Sequence, residues 1–305
     1  MKIIQPEAHI LPVTCDILKH VERCGRIAYK SENAISDGSD VRFIQDIIKR
    51  GHESVLEHGN YVFLLPDNTY EYTINMYTGY EFGVDAKNGI SGRIRFSQFN
   101  YNNGIVSGNI RAWRDFIRVI QRNRDNVPAW MSHAFYNNPA FEDLGLEFER
   151  CEFIQLQRED LTQKEADIHW TETVHFVCSR AISHELVRHR ALSPTQESQR
   201  FCNYSKGKFG GEITFIEPLW TKDDELQRRL WSNTMEMLED GYLGFLQVGR
   251  QSQEAREVLP NSTKTELVMT GTLGEWKHFF NLRCADDAHP EMRRIAVPLK
   301  AEFGW

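Results

Sequence analysis

Pro194 divides a run that reads as a helix from a run that cannot continue it. It supplies no amide donor and pushes Ser193 away from helical dihedrals. Upstream, residues 169–182 are β-prone and lead into a helix expected to end near Arg190. Downstream, Thr195, Gln196, Ser198, Gln199 and Arg200 form an open run. Successive amides and hydroxyls in such a run can face an anion, and Arg200 adds a bidentate donor suited to phosphate. The whole stretch from Ser183 to Tyr204 holds Arg188, Arg190, Arg200, His184 and His189. A phosphate cradle fits this pattern, and so does a solvated basic helix end followed by a loop.

The rest of the chain supplies other elements. Ile17, Leu18, Val21, Cys24, Ile27 and Ala28 recur at helical steps, so residues 11–30 are read as a helix. Residues 40–50 repeat the pattern, and Gly51 is a natural stop. Residues 61–65 read as a strand closed by Pro66-Asp67-Asn68. From 66 to 110 the chain turns rich in Asn, Gly and Tyr, as short strands or loops would be. Ile110, Trp113, Ile117 and Ile120 mark a helix over 110–122. Residues 126–168 look polar and irregular, an elaboration broken at Pro128 and Pro139. Helical periods return over 223–249, 251–259 and 263–283, the last softened at Gly271 and Gly274. A final helix starts near Pro290, before Pro298. There is no internal repeat, and the 305 residues are read as one domain with an insertion at about 66–168.

Composition narrows the function classes. A formal charge of −7 disfavours a general nucleic-acid binder, whose binding domain is usually basic. The six cysteines are scattered without a C-x-x-C pair, so they fit reduced thiols in a cytoplasmic protein. No signal core opens the chain and no membrane-length apolar run occurs in it. His184 and His189 are five apart, roughly 140° around a helix, which is wrong for a zincin pair. No metal site is expected. Ser198 lacks a Gly-x-Ser-x-Gly elbow and is read as a phosphate or nucleotide ligand rather than a nucleophile.

Two more constellations carry titratable groups. Gly51-His52-Glu53-Ser54-Val55-Leu56-Glu57-His58 packs two His, two Glu and a Ser at a helix–strand junction. Such a cluster can coordinate metal, shuttle protons, orient a polar ligand or simply cap, and its spacing matches neither zincin motif. Farther on come Glu254-Ala255-Arg256-Glu257-Val258-Leu259-Pro260 and Asn281-Leu282-Arg283. Arg256 and Arg283 fit structural ion pairs with Glu257 and Asp286, and equally an anionic pocket shared with Arg200.

Together these segments resemble one family. Arg188-His189-Arg190, seven residues, then Ser198 is similar to the signature of flavin-dependent thymidylate synthases. The Gly51–His58 segment, Arg256-x-Val258-Leu259-Pro260 and Asn281-Leu282-Arg283 resemble its other segments, in the same order. The resemblance covers roughly 15–65, 170–205 and 250–297 and gives 66–168 no role. It implies an α+β fold, an antiparallel or mixed sheet flanked by helices, in a homotetramer with FAD at subunit interfaces. It implies conversion of dUMP to dTMP, with methylenetetrahydrofolate as one-carbon donor and NADPH-reduced FAD as hydride source. Small molecules are the implied partners, with neither nucleic acid nor membrane.

By position, the resemblance places His52, Ser54, Arg188, His189, Arg190, Gln196, Thr272 and His278 at FAD. It places Glu185, Leu186, Val187, Arg188, Gln196, Glu197, Ser198, Gln199, Arg200, Arg256 and Arg283 at dUMP. Arg283 is the catalytic candidate, stabilising negative charge on the uracil ring. The chain departs from the family pattern in four places: Gln196 replaces a common Glu, Phe201 a common Tyr, and Thr272 and His278 stand where compact members use Asn.

Overall fold

Asp16 opens the first long helix by accepting the amides of Leu18 and Lys19 at 3.1 and 3.3 Å. In the computed structural model this helix, α1, spans Ile17–Tyr29 and buries Val21, Cys24, Ile27 and Ala28. Residues 1–12, 16–65, 84–85, 89–94, 97–102, 104–200 and 202–305 are described, with the backbone alone for 84–85, 89–94, 97–99 and 208. Cys15, Phe201 and, from the 66–110 expectation, all of residues 66–83 lie outside them. Helix α2, Ser39–Lys49, crosses α1 so closely that a methyl added at Gly25 would clash with the Phe43 ring. Gly51, at φ +70°, ends α2 as its position suggests.

The short edge strand β1 (Lys2–Ile4) is followed by β2 (Glu7–Ile10). After α2, the turn Glu53–His58 is a 3-10 helix that delivers the chain into β3 (Asn60–Leu64). Then come β4 (Val84–Asp85), β5 (Gly89–Ile94), β6 (Ser97–Asn102) and β7 (Ile105–Asn109). With β8 (Ile154–Gln155) they form a sheet ordered β4-β5-β6-β7-β3-β8. Helix α3 matches its expected limits, Ile110–Arg122, and is capped by Asn109. Its Trp113, Phe116, Ile117 and Ile120 are fully buried, and each large side chain so removed from water contributes about 1.5–3 kcal/mol. Residues 126–168 are less irregular than expected. They hold α4 (Ala129–Phe135) and α5 (Gln163–His169), and they bury Trp130, Met131, Phe135 and Phe141 in the same core. The polar look of that stretch comes from its outer face.

A second sheet organises the C-terminal half. Nine-residue β9 (Thr171–Ser179) pairs antiparallel with β12 (Lys264–Thr272) over its whole length. Strand β10 (Ser193–Gln196) adds to the far side of β12, and β2 to the far side of β9. Strand β12 corrects the expected helix over 263–283. Leu267, Val268 and Met269 are all buried, so the strand is apolar on both faces and lacks a period-two signal. The helical part begins only at Leu273. Thr272 caps it, with the Glu275 amide on its hydroxyl at 3.3 Å and its own amide on Glu275 at 2.8 Å.

Helix α6 (Arg180–Leu186) follows β9 and closes before Arg190, because Val187 to Leu192 tighten into turns. Beyond β10 come β11 (Thr214–Ile216), parallel to β1, and the long helix α7 (Glu225–Gln247). A short helix α8 (Ser252–Ala255) runs into a 3-10 turn, Arg256–Val258. Helices α9 (Leu273–Arg283) and α10 (Pro290–Glu302) cover the second sheet with Trp276, Phe279, Phe280, Ile295 and Leu299. Helix α10 continues through Pro298, which lies on the exposed side. Water can meet the carbonyl that Pro298 leaves unbonded. The architecture is α+β, and among the described residues no helix is long and apolar enough to cross a membrane.

Candidate active site

Arg283, at the end of α9, reaches across to the end of α6. Its Nε donates to His189 Nε2 at 2.7 Å, one Nη to the Glu185 carboxylate at 2.8 Å, and the other Nη to the Glu185 carbonyl at 3.2 Å. Arginine is only a donor, so His189 accepts through Nε2 and carries its proton on Nδ1. Burial, then Arg283, then His278 push His189 down to about 4. It therefore remains a neutral imidazole at neutral pH, packed edge-on against Phe279. Arg188 and Arg190 flank it on the turn and are exposed. Leu186 is buried in the core below, and Val187 is exposed.

Strand β10 ties this group to the others. Gln196 donates its amide to Ser183 at 3.0 Å and to Thr265 at 3.1 Å. Ser193 donates to Glu57 at 2.7 Å, and Thr195 hydrogen-bonds His58 at 2.8 Å. The Gly51–His58 and Arg188–Ser198 segments are thus brought into contact. His58 reaches on to Thr270 at 2.8 Å, Thr270 to Thr173 at 2.6 Å, and Thr173 to His20 at 2.9 Å. Burial pushes His58 down to about 3 and His20 down to about 4, with His20 and Arg23 respectively adding to each. This buried chain holds the acidic turn against both central strands. The resemblance assigned Glu57 and His58 to neither FAD nor dUMP, and Thr173 and Thr270 carry no motif at all. Their signal is three-dimensional.

Other predicted residues fall in distinct settings. His52 is exposed and bonded to the Tyr29 hydroxyl at 2.7 Å, and Ser54 beside it is exposed. Glu197 is 2% exposed, and its carboxylate takes Lys264 at 2.9 Å and the Tyr204 hydroxyl at 3.2 Å. Lys264 also pairs with Glu266, which in turn meets Lys30 and His175. Ser198 and Gln199 are half-buried and Arg200 is exposed in the loop after β10. Arg256 lies 4.0 Å from Glu257 on its own turn. That turn packs through Val258 and Leu259 in one cluster with Cys202 and Tyr204, just past the Arg200 loop. Thr272 uses its hydroxyl as the α9 cap, and His278 is exposed on α9, near enough to lower His189.

The donor set suits an anionic nucleotide and a phosphate-bearing cofactor. Exposed guanidiniums at Arg188, Arg190 and Arg200 can fork onto phosphate. Gln199, half-buried in the same loop, adds a neutral amide donor. Among the described residues, no three His, Cys, Asp or Glu side chains converge as a metal ion would need.

Strands β9, β10 and β12 of the second sheet, with α6, α9 and α10, lie in a stretch similar to a known family. Residues 168–304 match the family described as "Thymidylate synthase complementing protein". The "Flavin-dependent thymidylate synthase" of Geobacter sulfurreducens is 36% identical over 121 residues, 40% of this chain and 50% of that protein. The protein of the same description from Pyrococcus furiosus is 37% identical over 126 residues, 41% of this chain and 51% of its own. One from Corynebacterium glutamicum is 34% identical over 134 residues, 39% of this chain and 51% of its own. The chain spans about half the length of the curated relatives it matches. A solved structure, a UMP/dUMP methylase PolB from Streptomyces cacaoi bound with 5-Br dUMP, aligns at 15% identity with a TM-score of 0.42, over 100% of this chain and 92% of its own. A likeness that low carries neither fold nor ligand.

Proposed function

We propose that the chain is a flavin-dependent thymidylate synthase that converts dUMP to dTMP with the methylene group of methylenetetrahydrofolate. NADPH-reduced FAD would supply the hydride, so the folate leaves as tetrahydrofolate. The observation that carries this reading is the meeting of Arg283 with His189 and Glu185. Two segments 94 residues apart, each similar to the same family, converge on one guanidinium.

Each residue then has a task. Arg188, His189 and Arg190, with His52, Ser54, Gln196 and His278, would bind FAD. Thr272 would join them by donating its hydroxyl proton while the oxygen holds the α9 cap. Ser198, Gln199, Arg200 and Arg256 would hold the dUMP phosphate, and Glu185 to Arg188 would line the nucleotide. Arg283 uses three of the five N–H donors of its guanidinium within the protein. The others are available to the uracil, whose ring anion a fixed cation would stabilise. The half-buried neutral His189 keeps that cation aimed without adding a competing charge.

The working unit in this reading is a cytoplasmic homotetramer with FAD between subunits. The test is the colour of the purified full chain supplied with FAD. An oxidised-flavin absorbance band that survives gel filtration and shifts on adding dUMP supports the reading. Colourless protein that still binds dUMP would make it a nucleotide-binding protein without flavin chemistry. Light scattering of the same sample tests the tetramer.

A further inference from the structure

Helix α3 carries two stripes. Trp113, Phe116, Ile117 and Ile120 face the core, while Arg111, Arg114 and Arg118 fall within a sector roughly 60° wide beside them. All three arginines engage the acidic residues of the Glu53–His58 turn. Arg118 grips Glu53 with two bonds, 2.8 Å to one carboxylate oxygen and 3.0 Å to the other. Arg114, which is fully buried, approaches the same carboxylate at 3.4 Å. Its other contacts anchor it to the Ala140 carbonyl and to both oxygens of Asp143, at 2.6 and 2.7 Å. Arg111 donates to Glu57 at 2.7 Å, and the second oxygen of Glu57 takes the Ser193 hydroxyl.

Glu53 and Glu57 lie near the two ends of the turn. Ser54 follows Glu53 directly and His52 precedes it. Ser193 opens the strand that leads into the Gln196–Arg200 loop. Forked arginine–carboxylate bonds fix direction as well as distance. A buried guanidinium also resists any rotation of α3 that would leave it unpaired. We propose that α3, part of the long internal segment, is a positioning element: Arg118 and Arg114 through Glu53, and Arg111 through Glu57, set the attitude of the His52–Ser54 edge toward FAD. The inference rests on the flavin reading above and gives the internal segment a task in that same site. Arg111, Arg114 and Arg118 act through the two glutamates and do not themselves touch the cofactor.

The experiment is a double-mutant cycle on the full chain, with FAD affinity read from flavin fluorescence and stability read from urea unfolding. The variants are Arg118→Gln, Glu53→Gln, the double variant and Arg118→Lys. Ile117→Val, on the core stripe of the same helix, is the control for a purely structural loss. The expected result is a fivefold or greater rise in the FAD Kd for each single Gln variant, no further rise in the double, and a smaller rise for Arg118→Lys. Ile117→Val should lower the urea midpoint and leave the FAD Kd within twofold of the parent. Unchanged FAD affinity in both Gln variants, with the parent binding FAD, would overturn the clamp alone. A parent chain that binds no FAD would overturn the flavin reading and the clamp together.

Discussion

The Arg283 guanidinium and the His189 imidazole meet at 2.7 Å, with the arginine donating to Nε2. The contact fixes the tautomer of His189 and places a permanent cation at the edge of the group formed by Glu185, Arg188 and Arg190. Replacing Arg283 by Gln keeps hydrogen bonding and removes the charge. Turnover of dUMP should fall by about 100-fold or more, the cost typical of losing one donor aimed at a developing anion. The pKa of His189 should rise from about 4 when Arg283, one of the groups depressing it, is gone. Steady-state kinetics measure the first effect and NMR titration of the imidazole the second.

Ser198 tests the division of labour. It lies half-buried in the loop that follows β10 and is read as a ligand of the dUMP phosphate. Ser198→Ala should raise the dUMP Kd several-fold and leave turnover measurable at saturating dUMP. Abolished turnover with unchanged dUMP affinity would make the hydroxyl a participant in the chemistry.

Glu197 separates a ligand contact from a structural one. Its carboxylate is buried against Lys264 and Tyr204. Glu197→Ala should cost on the order of 2–3 kcal/mol, at or below the low end for a broken buried pair, because Lys264 keeps a second acid partner. That partner is Glu266 at 2.5 Å. Denaturant unfolding measures the loss. A change in dUMP affinity at full stability would show instead that the side chain faces the nucleotide.

Stability should depend on pH through the buried histidines. His58 is held down to about 3, and His20 and His169 to about 4, against an ordinary value of 6.5. In each case burial disfavours the imidazolium. Below about pH 6.5 the unfolded chain takes up protons that the folded chain refuses, so unfolding gains. The stability these groups contribute is complete above that pH and declines as pH falls toward 3 to 4, where the folded histidines also protonate. Thermal unfolding scans from pH 7.5 to about 4 should show a falling Tm, and His58→Gln should flatten the slope. An identical slope in that variant would exclude His58 as a source.

How much of this was legible beforehand differs by element. Helix α3 was clear, because Ile110, Trp113, Ile117 and Ile120 repeat with one apolar side. Strand β12 was not, because both of its faces are buried and its apolar run resembles a core helix. Helix α10 outran its proline because Pro298 sits on the wet side, a fact that only packing decides. At the site, the basic and hydroxyl-rich segments stood out by composition and order. The bonds that join them did not. His58 finds its threonines 137 and 212 residues away, and Arg111 finds Glu57 at a separation of 54. Such pairs leave no local period.

The central claim is a flavin-borne methylation of dUMP. Its most direct measurement is an anaerobic reaction of FAD-loaded protein with NADPH, dUMP and methylenetetrahydrofolate, followed by chromatography of the nucleotides and folates. The expected products are dTMP and tetrahydrofolate in equal amounts, both lost when NADPH is omitted. Bound FAD that NADPH reduces with no dTMP formed, or dTMP accompanied by dihydrofolate, would contradict it.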